Sequence, residues 1–439
     1  MADLISDRTL AFGLQGLKSA AGLVTRRLPI PQPLLLVGPG SSARLGQAIA
    51  EFGHRKLLLV TDAVLLESGL MAPLTEALAA GGTPFVLFAA VTPDAPVPVL
   101  EQGMALFDRE QCDGIVAFGG GSVIDSAKAI ALACANGKHP RELVGYFKAR
   151  HGPVPIYAVP TTAGTGSEVT VAAVISDPEH GVKLVIADTR LVPDMAALDP
   201  CLMTGLPRAM TAATGMDALT HAVEAFIGNW STAYTDRMAL AAVSMIYRYL
   251  PLACSDGANL EAREKMALAA SFAGLAFTRA NVGNVHAIAH QIGARYHTPH
   301  GLANAVLLPG VLRFCAAQIR PRLALLARSC GVGQEGGSQQ LLARQFLDSV
   351  DALNAQLGIP TQLDALREAD IPELARAACW EADTNYPVPR RMSRPACEAL
   401  LRALLPVKTV RRKPARKPRA ASPTLAPPGA PTRRAARRR

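Results

Sequence analysis

Four of the nine histidines fall between positions 286 and 300, a crowding that invites a chemical explanation. In TGMDALTHAVEAF (214–226), Asp217 and His221 stand i, i+4 in a helical pattern, so both side chains leave one face one turn apart. In VHAIAHQIG (285–293), His286 and His290 repeat that spacing, and His300 sits between Pro299 and Gly301 at a loop or helix start. An Asp–His pair, a His–His pair and a nearby histidine offer the oxygen and imidazole donors that a divalent transition metal takes, zinc and iron(II) among them. For any one of these elements the alternative is ordinary: a surface histidine pair, or an aspartate paired with a basic residue. Three together favour a metal site.

Two glycine-containing loops suggest a second ligand. The segment IVAFGGGSVIDSAKAIAL (115–132) runs from an apolar strand through Gly119, Gly120, Gly121 and Ser122 into a helical pattern. Glycines there let backbone N–H groups approach a ligand, and the helix N-terminus that follows favours an anion such as a pyrophosphate. A tight turn is the competing reading. The loop PTTAGTGSEVT (160–170) also follows a strand and supplies hydroxyls from Thr161, Thr162, Thr165, Ser167 and Thr170, for a ligand or for capping its own turns. Asp62 ends the run KLLLVTD, where a carboxylate either receives a ribose 2′-hydroxyl, favouring NAD over NADP, or caps the next helix.

The elements that must position these residues differ between the two halves. The runs LLLVGPG (34–40), KLLLVTD (56–62), TPFVLFA (83–89), DGIVAFGGG (113–121) and VPIYAVPTT (154–162) alternate with helical patterns, predicting a βαβ array with a mostly parallel sheet over residues 30–198. Residues 199–406 carry long alanine- and leucine-rich stretches at helical spacing and read as an all-helical domain. The histidine cluster belongs to that second domain. A cleft between the two is the expected place for a ligand.

The formal charge of +10 is carried by the end of the chain. Residues 408–439 hold twelve Lys or Arg and no acid, leaving 33 basic against 35 acidic residues elsewhere. The segment 407–439 reads as a disordered basic tail, and nucleic-acid contact is expected only through it. Residues 1–29 form an N-terminal extension with an amphipathic stretch, Thr9 to Leu28, read as an extra surface helix rather than a signal peptide. No run of about 18 uninterrupted apolar residues occurs, so no membrane span is expected. Eight cysteines, without a C-x-x-C pair, read as reduced thiols of a cytoplasmic protein.

From about residue 30 to 405 the chain resembles the iron-containing (group III) alcohol dehydrogenases. Four motifs carry the likeness: GGGSVIDSAKAIA (119–131), PTTAGTGSEVT (160–170), GMDALTHAVEAF (215–226) and VHAIAHQIGARYHTPHGLANAVLLP (285–309). The resemblance implies a Rossmann-like α/β dinucleotide-binding domain followed by a helical metal-binding domain, the architecture shared with dehydroquinate synthases. It implies NAD as cofactor and iron(II), with zinc in some relatives, held by Asp217, His221, His286 and His300. His290 then falls beside the metal and nicotinamide as a proton relay, and His297 is left unassigned. The resemblance places Gly120, Gly121 and Ser122 at the pyrophosphate and Thr161, Thr165 and Thr170 at the cofactor. It sets Lys183 at the nicotinamide ribose and has Asp125 orienting the glycine loop.

Two departures stand out: Pro93-Asp94-Ala95-Pro96 replaces the family's usual Pro-Asn-Pro-Thr, and Gln291 replaces a proline often found after the second motif histidine. The implied reaction is hydride transfer between an alcohol, or its aldehyde or ketone, and NAD(H), by a dimer or larger homo-oligomer. A hydroxyacid–oxoacid transhydrogenase and a dehydroquinate synthase-like lyase are the alternatives.

Overall fold

A computed structural model describes residues 28–406. The expected N-terminal helix and basic tail lie outside the described residues. In the first half the elements run β1 (Leu34–Val37), α1 (Ser41–Ala50), β2 (Leu57–Val60), α2 (Ala63–Ser68), α3 (Ala72–Ala80), β3 (Phe85–Phe88), α4 (Val97–Arg109), β4 (Gly114–Gly119), α5 (Gly121–Asn136), β5 (Gly145–Tyr146), β6 (Ile156–Pro160), β7 (Ala172–Asp177), β8 (Val182–Ala187) and β9 (Met195–Leu198). The second half is helical: α6 (Arg208–Ile227), α7 (Ala233–Ser255), α8 (Leu260–Ala280), α9 (Asn284–Tyr296), α10 (His300–Ser329), α11 (Gln339–Leu357), α12 (Ile371–Asn385) and α13 (Arg394–Ala403). Both halves, through Leu405, belong to one compact unit.

Every one of the five apolar runs contains a strand. They join β9 in a parallel sheet of order β1-β9-β6-β4-β2-β3. Continuous apolar runs suit a sheet covered on both faces. Leu58, Val60, Ile115 and Ala117 pack in one core, with residues of α4 and α5, while Leu57, Leu59, Val116 and Phe118 pack in another, with α1 and α3. The central strands β4 and β6 are neighbours, so the glycine loop and the threonine loop leave the same edge of the sheet side by side. Two features were not read from the sequence: β9 inserted between β1 and β6, and a second, three-stranded sheet of order β5-β8-β7. The β7–β8 hairpin carries Lys183.

The helical half is built around α6, which is buried along most of its length and packs against α7, α8 and α10. Its alanine and glycine content permits that close approach. By length and composition α7 and α10 could each cross a membrane, but α10 is mostly buried and both pack against α6.

Candidate active site

Helix α6 presents Asp217 and His221 on one face, and both are almost wholly buried. Helix α9 brings His286, 2% exposed, and α10 begins at His300. The contact between α6 and α10 depends on Gly301, where a Cβ would stand 2.3 Å from the Ala213 carbonyl oxygen. Any other residue would push the first turn of α10, and His300 with it, away from Asp217. As folded, one donor atom from each of Asp217, His221, His286 and His300 lies within 4.8 Å of the other three. His300 Nε2 is 3.6 Å from Asp217 Oδ1, and His221 Nδ1 is 3.9 Å from Asp217 Oδ2.

Neighbouring groups aim these donors. Glu224, one turn beyond His221 on α6, takes His286 Nδ1 at 2.7 Å, which leaves Nε2 facing the cluster. The same carboxylate accepts the N–H groups of Gly283 (2.8 Å) and Val285 (2.7 Å) and so closes the start of α9. Burial raises its pKa to about 7 against the lowering effect of those backbone bonds. His221 Nδ1 is buried with no hydrogen-bond partner, while the ring bonds the backbone of Gly164 in the threonine loop. The two loops and the histidine cluster therefore meet at one place. Asn304, one turn into α10, sets its Nδ2 2.7 Å from Asp217 Oδ1 and 3.1 Å from the Nε2 atoms of His286 and His300.

Burial keeps the imidazoles in the neutral form that a metal requires. Desolvation lowers His221, although Asp217 pulls the other way. His286 falls well below 6.5 through desolvation and then through the neighbouring histidines. His300 drops to about 3, again through desolvation first, with Asp217 opposing.

His290 stands outside the four-donor group, its ring stacked on that of His300 with centroids 5.3 Å apart. Its Nδ1 lies 2.6 Å from Glu381 Oε1, a carboxylate that also receives Gln291 Nε2 (2.6 Å) and the Tyr386 hydroxyl (2.6 Å). Gln291, the residue in place of a proline, thus has a defined partner. His297 is the left-handed C-cap of α9 and does not enter the cluster.

On the α/β side, α5 begins at the glycine loop with no side-chain cap, and a Cβ on Gly121 would stand 2.6 Å from Thr165 Cγ2. The loops thus pack directly on each other. Lys128, fully buried in α5, donates to the carbonyls of Ser167 (2.6 Å), Thr170 (2.8 Å) and Ala172 (3.0 Å) and to Thr170 Oγ1 (3.0 Å). Desolvation lowers its pKa to about 8. Asp125 accepts from the Ser167 hydroxyl and from Val174 N at 3.0 Å, so it ties down the threonine loop and β7.

Thr161 is buried and its N–H donates to Gly119 O at 3.1 Å. Thr165 Oγ1 accepts from Ser167 N at 3.3 Å. Thr170 faces Lys128. Asp62 caps α2 by accepting from Leu65 N at 2.9 Å, which is the capping alternative for that residue. Gly120 and Ser122 flank the start of α5, where Ser122 Oγ accepts from Asp94 N at 3.2 Å. Lys183 Nζ forms an ion pair with Asp94 Oδ1 at 2.9 Å.

Sequence reading did not single out Glu224, Asn304, Glu381 or Lys128. Glu224 and Lys128 did carry a signal, since each is a charge within an otherwise apolar helical stretch. Glu381, in the polar-looking WEAD, did not.

Residues 33–200 match the family described as iron-containing alcohol dehydrogenase, and residues 211–405 match the Fe-containing alcohol dehydrogenase family, C-terminal. The chain belongs to the iron-containing alcohol dehydrogenase family. An NAD-dependent methanol dehydrogenase of Bacillus methanolicus is 37% identical over 80% of this chain and 93% of its own length. A 1,3-propanediol dehydrogenase of Klebsiella pneumoniae is 40% identical, over 83% and 95%. Among solved structures, a 1,3-propanediol oxidoreductase superposes with a TM-score of 0.82 at 38% identity, covering 85% of this chain and 99% of that one. The iron-containing dehydrogenase fold joins a parallel-sheet half to a helical half, as here. The protein is an alcohol–aldehyde oxidoreductase, which sets it apart from the lyase alternative raised by its sequence.

Proposed function

We propose that this enzyme uses NAD(H) and a divalent metal, iron(II) by preference, held by Asp217, His221, His286 and His300. The single observation that carries the reading is the group of one carboxylate and three neutral imidazoles, all buried but the partly exposed His300, with donor atoms mutually within 4.8 Å. The orphaned His221 Nδ1 fits it, because a buried nitrogen without a partner is costly unless something binds it. For the dinucleotide, the fit is the uncapped start of α5 beside the threonine loop. The contact of Gly164 with His221 puts that loop against the metal donors.

When bound, the metal polarises the alcohol oxygen and the nicotinamide accepts hydride. The chain's own residues do the positioning. Glu224 holds His286 in the tautomer that offers Nε2 to the cluster, and the Gly164 backbone holds His221. Lys128 and Asp125 fix the threonine loop so that Gly120, Gly121, Ser122, Thr161 and Thr165 line the cofactor, with Thr170 anchoring the loop from within. His290, with Nδ1 committed to Glu381, keeps Nε2 for the proton leaving the alcohol, and Glu381 stabilises the imidazolium. Residues 30–198 form the dinucleotide domain and residues 199–406 the metal domain. The substrate is a small alcohol or aldehyde, of the size named for the methanol, propanediol and lactaldehyde relatives. The eight free thiols support a cytoplasmic location, and the functional unit is a homo-oligomer.

The test is NAD reduction over short alcohols, diols and 2- or 4-hydroxy acids, using protein stripped by a chelator and then reconstituted. Activity lost on chelation and regained with iron(II), not with magnesium, is expected. Full turnover by the stripped protein would overturn the metal reading, and a lack of NADH formation with every alcohol would overturn the cofactor reading.

A further inference from the structure

The segment from Pro93 to Pro96 departs from the family pattern, and its geometry gives the departure a use. Asp94 and Ala95 both adopt left-handed backbone, with φ of 67° and 48°. Two consecutive non-glycine residues rarely do so, and such strain persists only where the surroundings fix it. Here Asp94 N is bound to Ser122 Oγ at the start of α5, and the Ala95 carbonyl accepts Ser176 N of β7 at 3.2 Å. Pinned at both ends, the turn directs the Asp94 carboxylate to Lys183 Nζ, 2.9 Å away.

The pair occupies a telling position. On one side it touches the glycine loop through Ser122. On the other, a Cβ on Gly293 of α9 would stand 3.9 Å from Lys183 Nζ, and the Lys183 charge reaches His300. A dinucleotide whose pyrophosphate rests on the glycine loop, and whose reactive end meets the histidine cluster, must lay its nicotinamide half across this interval. The oxidised ring carries a positive charge there and the reduced ring carries none.

We propose that Asp94 sets the relative affinity for oxidised and reduced cofactor, by neutralising the Lys183 ammonium that NAD+ would otherwise face unpaired. The inference rests on the NAD reading above. An amide at position 94 would keep the shape of the turn and expose the ammonium, which disfavours NAD+ and leaves NADH nearly untouched. Lys183 is mostly buried and Asp94 about half-exposed, so the effect is partly screened and weakens with added salt.

The experiment is equilibrium binding at low ionic strength. NADH is titrated by its fluorescence and NAD+ by calorimetry, on metal-loaded wild type, Asp94→Asn, Lys183→Met and the double variant. Asp94→Asn is expected to raise the ratio Kd(NAD+)/Kd(NADH) about three- to tenfold, and Lys183→Met to lower it by a similar factor. The double variant, neutral again, should return to within about twofold of wild type. A loss of packing would weaken both cofactors together and leave the ratio unmoved. An unchanged ratio in both single variants, or shifts in the same direction, would overturn the inference while leaving NAD binding intact. Wild type that binds neither cofactor would overturn the NAD reading, and this inference with it.

Discussion

The histidine cluster and the paired loops of the α/β half are the two proposed ligand sites, and they are made from different parts of the chain. The cluster is assembled from side chains on three packed helices, α6, α9 and α10, and each donor is aimed by a neighbour: Glu224 for His286, the Gly164 backbone for His221. The loops are assembled mainly from backbone, and what fixes them lies beneath them, in the buried Lys128 and the half-buried Asp125 of α5. Functional side chains in a helix announce themselves by spacing. Loops shaped by a support underneath do not, because the support has the ordinary look of a core position.

The contrast can be broken by variants that should damage one region and spare the other. The largest effect is expected at Lys128. Lys128→Met strands several buried carbonyls and should cost about 3 kcal/mol or more in unfolding free energy, weakening NADH binding while metal content is unchanged. Equal loss of metal and cofactor would show that the two regions are one cooperative unit.

Next is the pH dependence of metal-free protein. His286 and His300 have folded pKa values depressed below 6.5, so the unfolded chain takes up protons that the folded chain refuses, and their stabilisation is lost as pH falls below 6.5. Glu224, raised to about 7 from 4.5, opposes this, because its protonated form is favoured in the folded state. Asp125 and Glu168, also raised by desolvation, oppose it in the same way while His221 adds to it, so the histidine share is read as a difference: His286→Ala should lower the slope of unfolding free energy against pH by up to about 1.4 kcal/mol per pH unit. Thermal unfolding as a function of pH measures the slope. A slope in His286→Ala equal to that of wild type would contradict the burial argument.

Glu224→Gln comes third. An amide cannot accept His286 Nδ1 and the backbone N–H groups of Gly283, Val285 and His286 as a carboxylate does, and metal affinity should fall about 10- to 100-fold with cofactor affinity held. Undiminished metal affinity would remove Glu224 from the site. The smallest effect is at Asp62. Asp62→Ala should lose about 1 kcal/mol of helix capping. Asp62→Asn, which keeps the cap, isolates the ribose contact: relaxed discrimination against NADP supports it, and unchanged discrimination leaves Asp62 a cap alone.

This difference between side chain and backbone also explains what could be read from the sequence. The five apolar runs were legible because a parallel sheet buried on both faces leaves unbroken strands of leucine and valine, as in β2 and β4. The helical half was legible through alanine-rich periodicity, and Asp217, His221, His286 and His300 through helical spacing joined to a family likeness. The short strand β9 was not, since nothing in Met195–Leu198 says that it slots between β1 and β6. The β7–β8 hairpin alternates only weakly and was seen only as the setting of Lys183. The hold of Asp125 on the threonine loop was not legible, because its partner Ser167 lies far along the chain. Glu381 meets His290 only through the packing of α12 on α9, a tertiary contact without a local signature.

The central claim is that the four-donor group is a metal site on which turnover depends. Metal content per chain, measured by mass spectrometry on iron-reconstituted wild type, His286→Ala and Asp217→Ala alongside alcohol oxidation, tests it most directly. The expected result is about one iron per wild-type chain, little or none in either variant, and activity reduced on the order of a thousandfold or more. Variants that retain wild-type metal content, or that lose the metal and keep turning over, would contradict it.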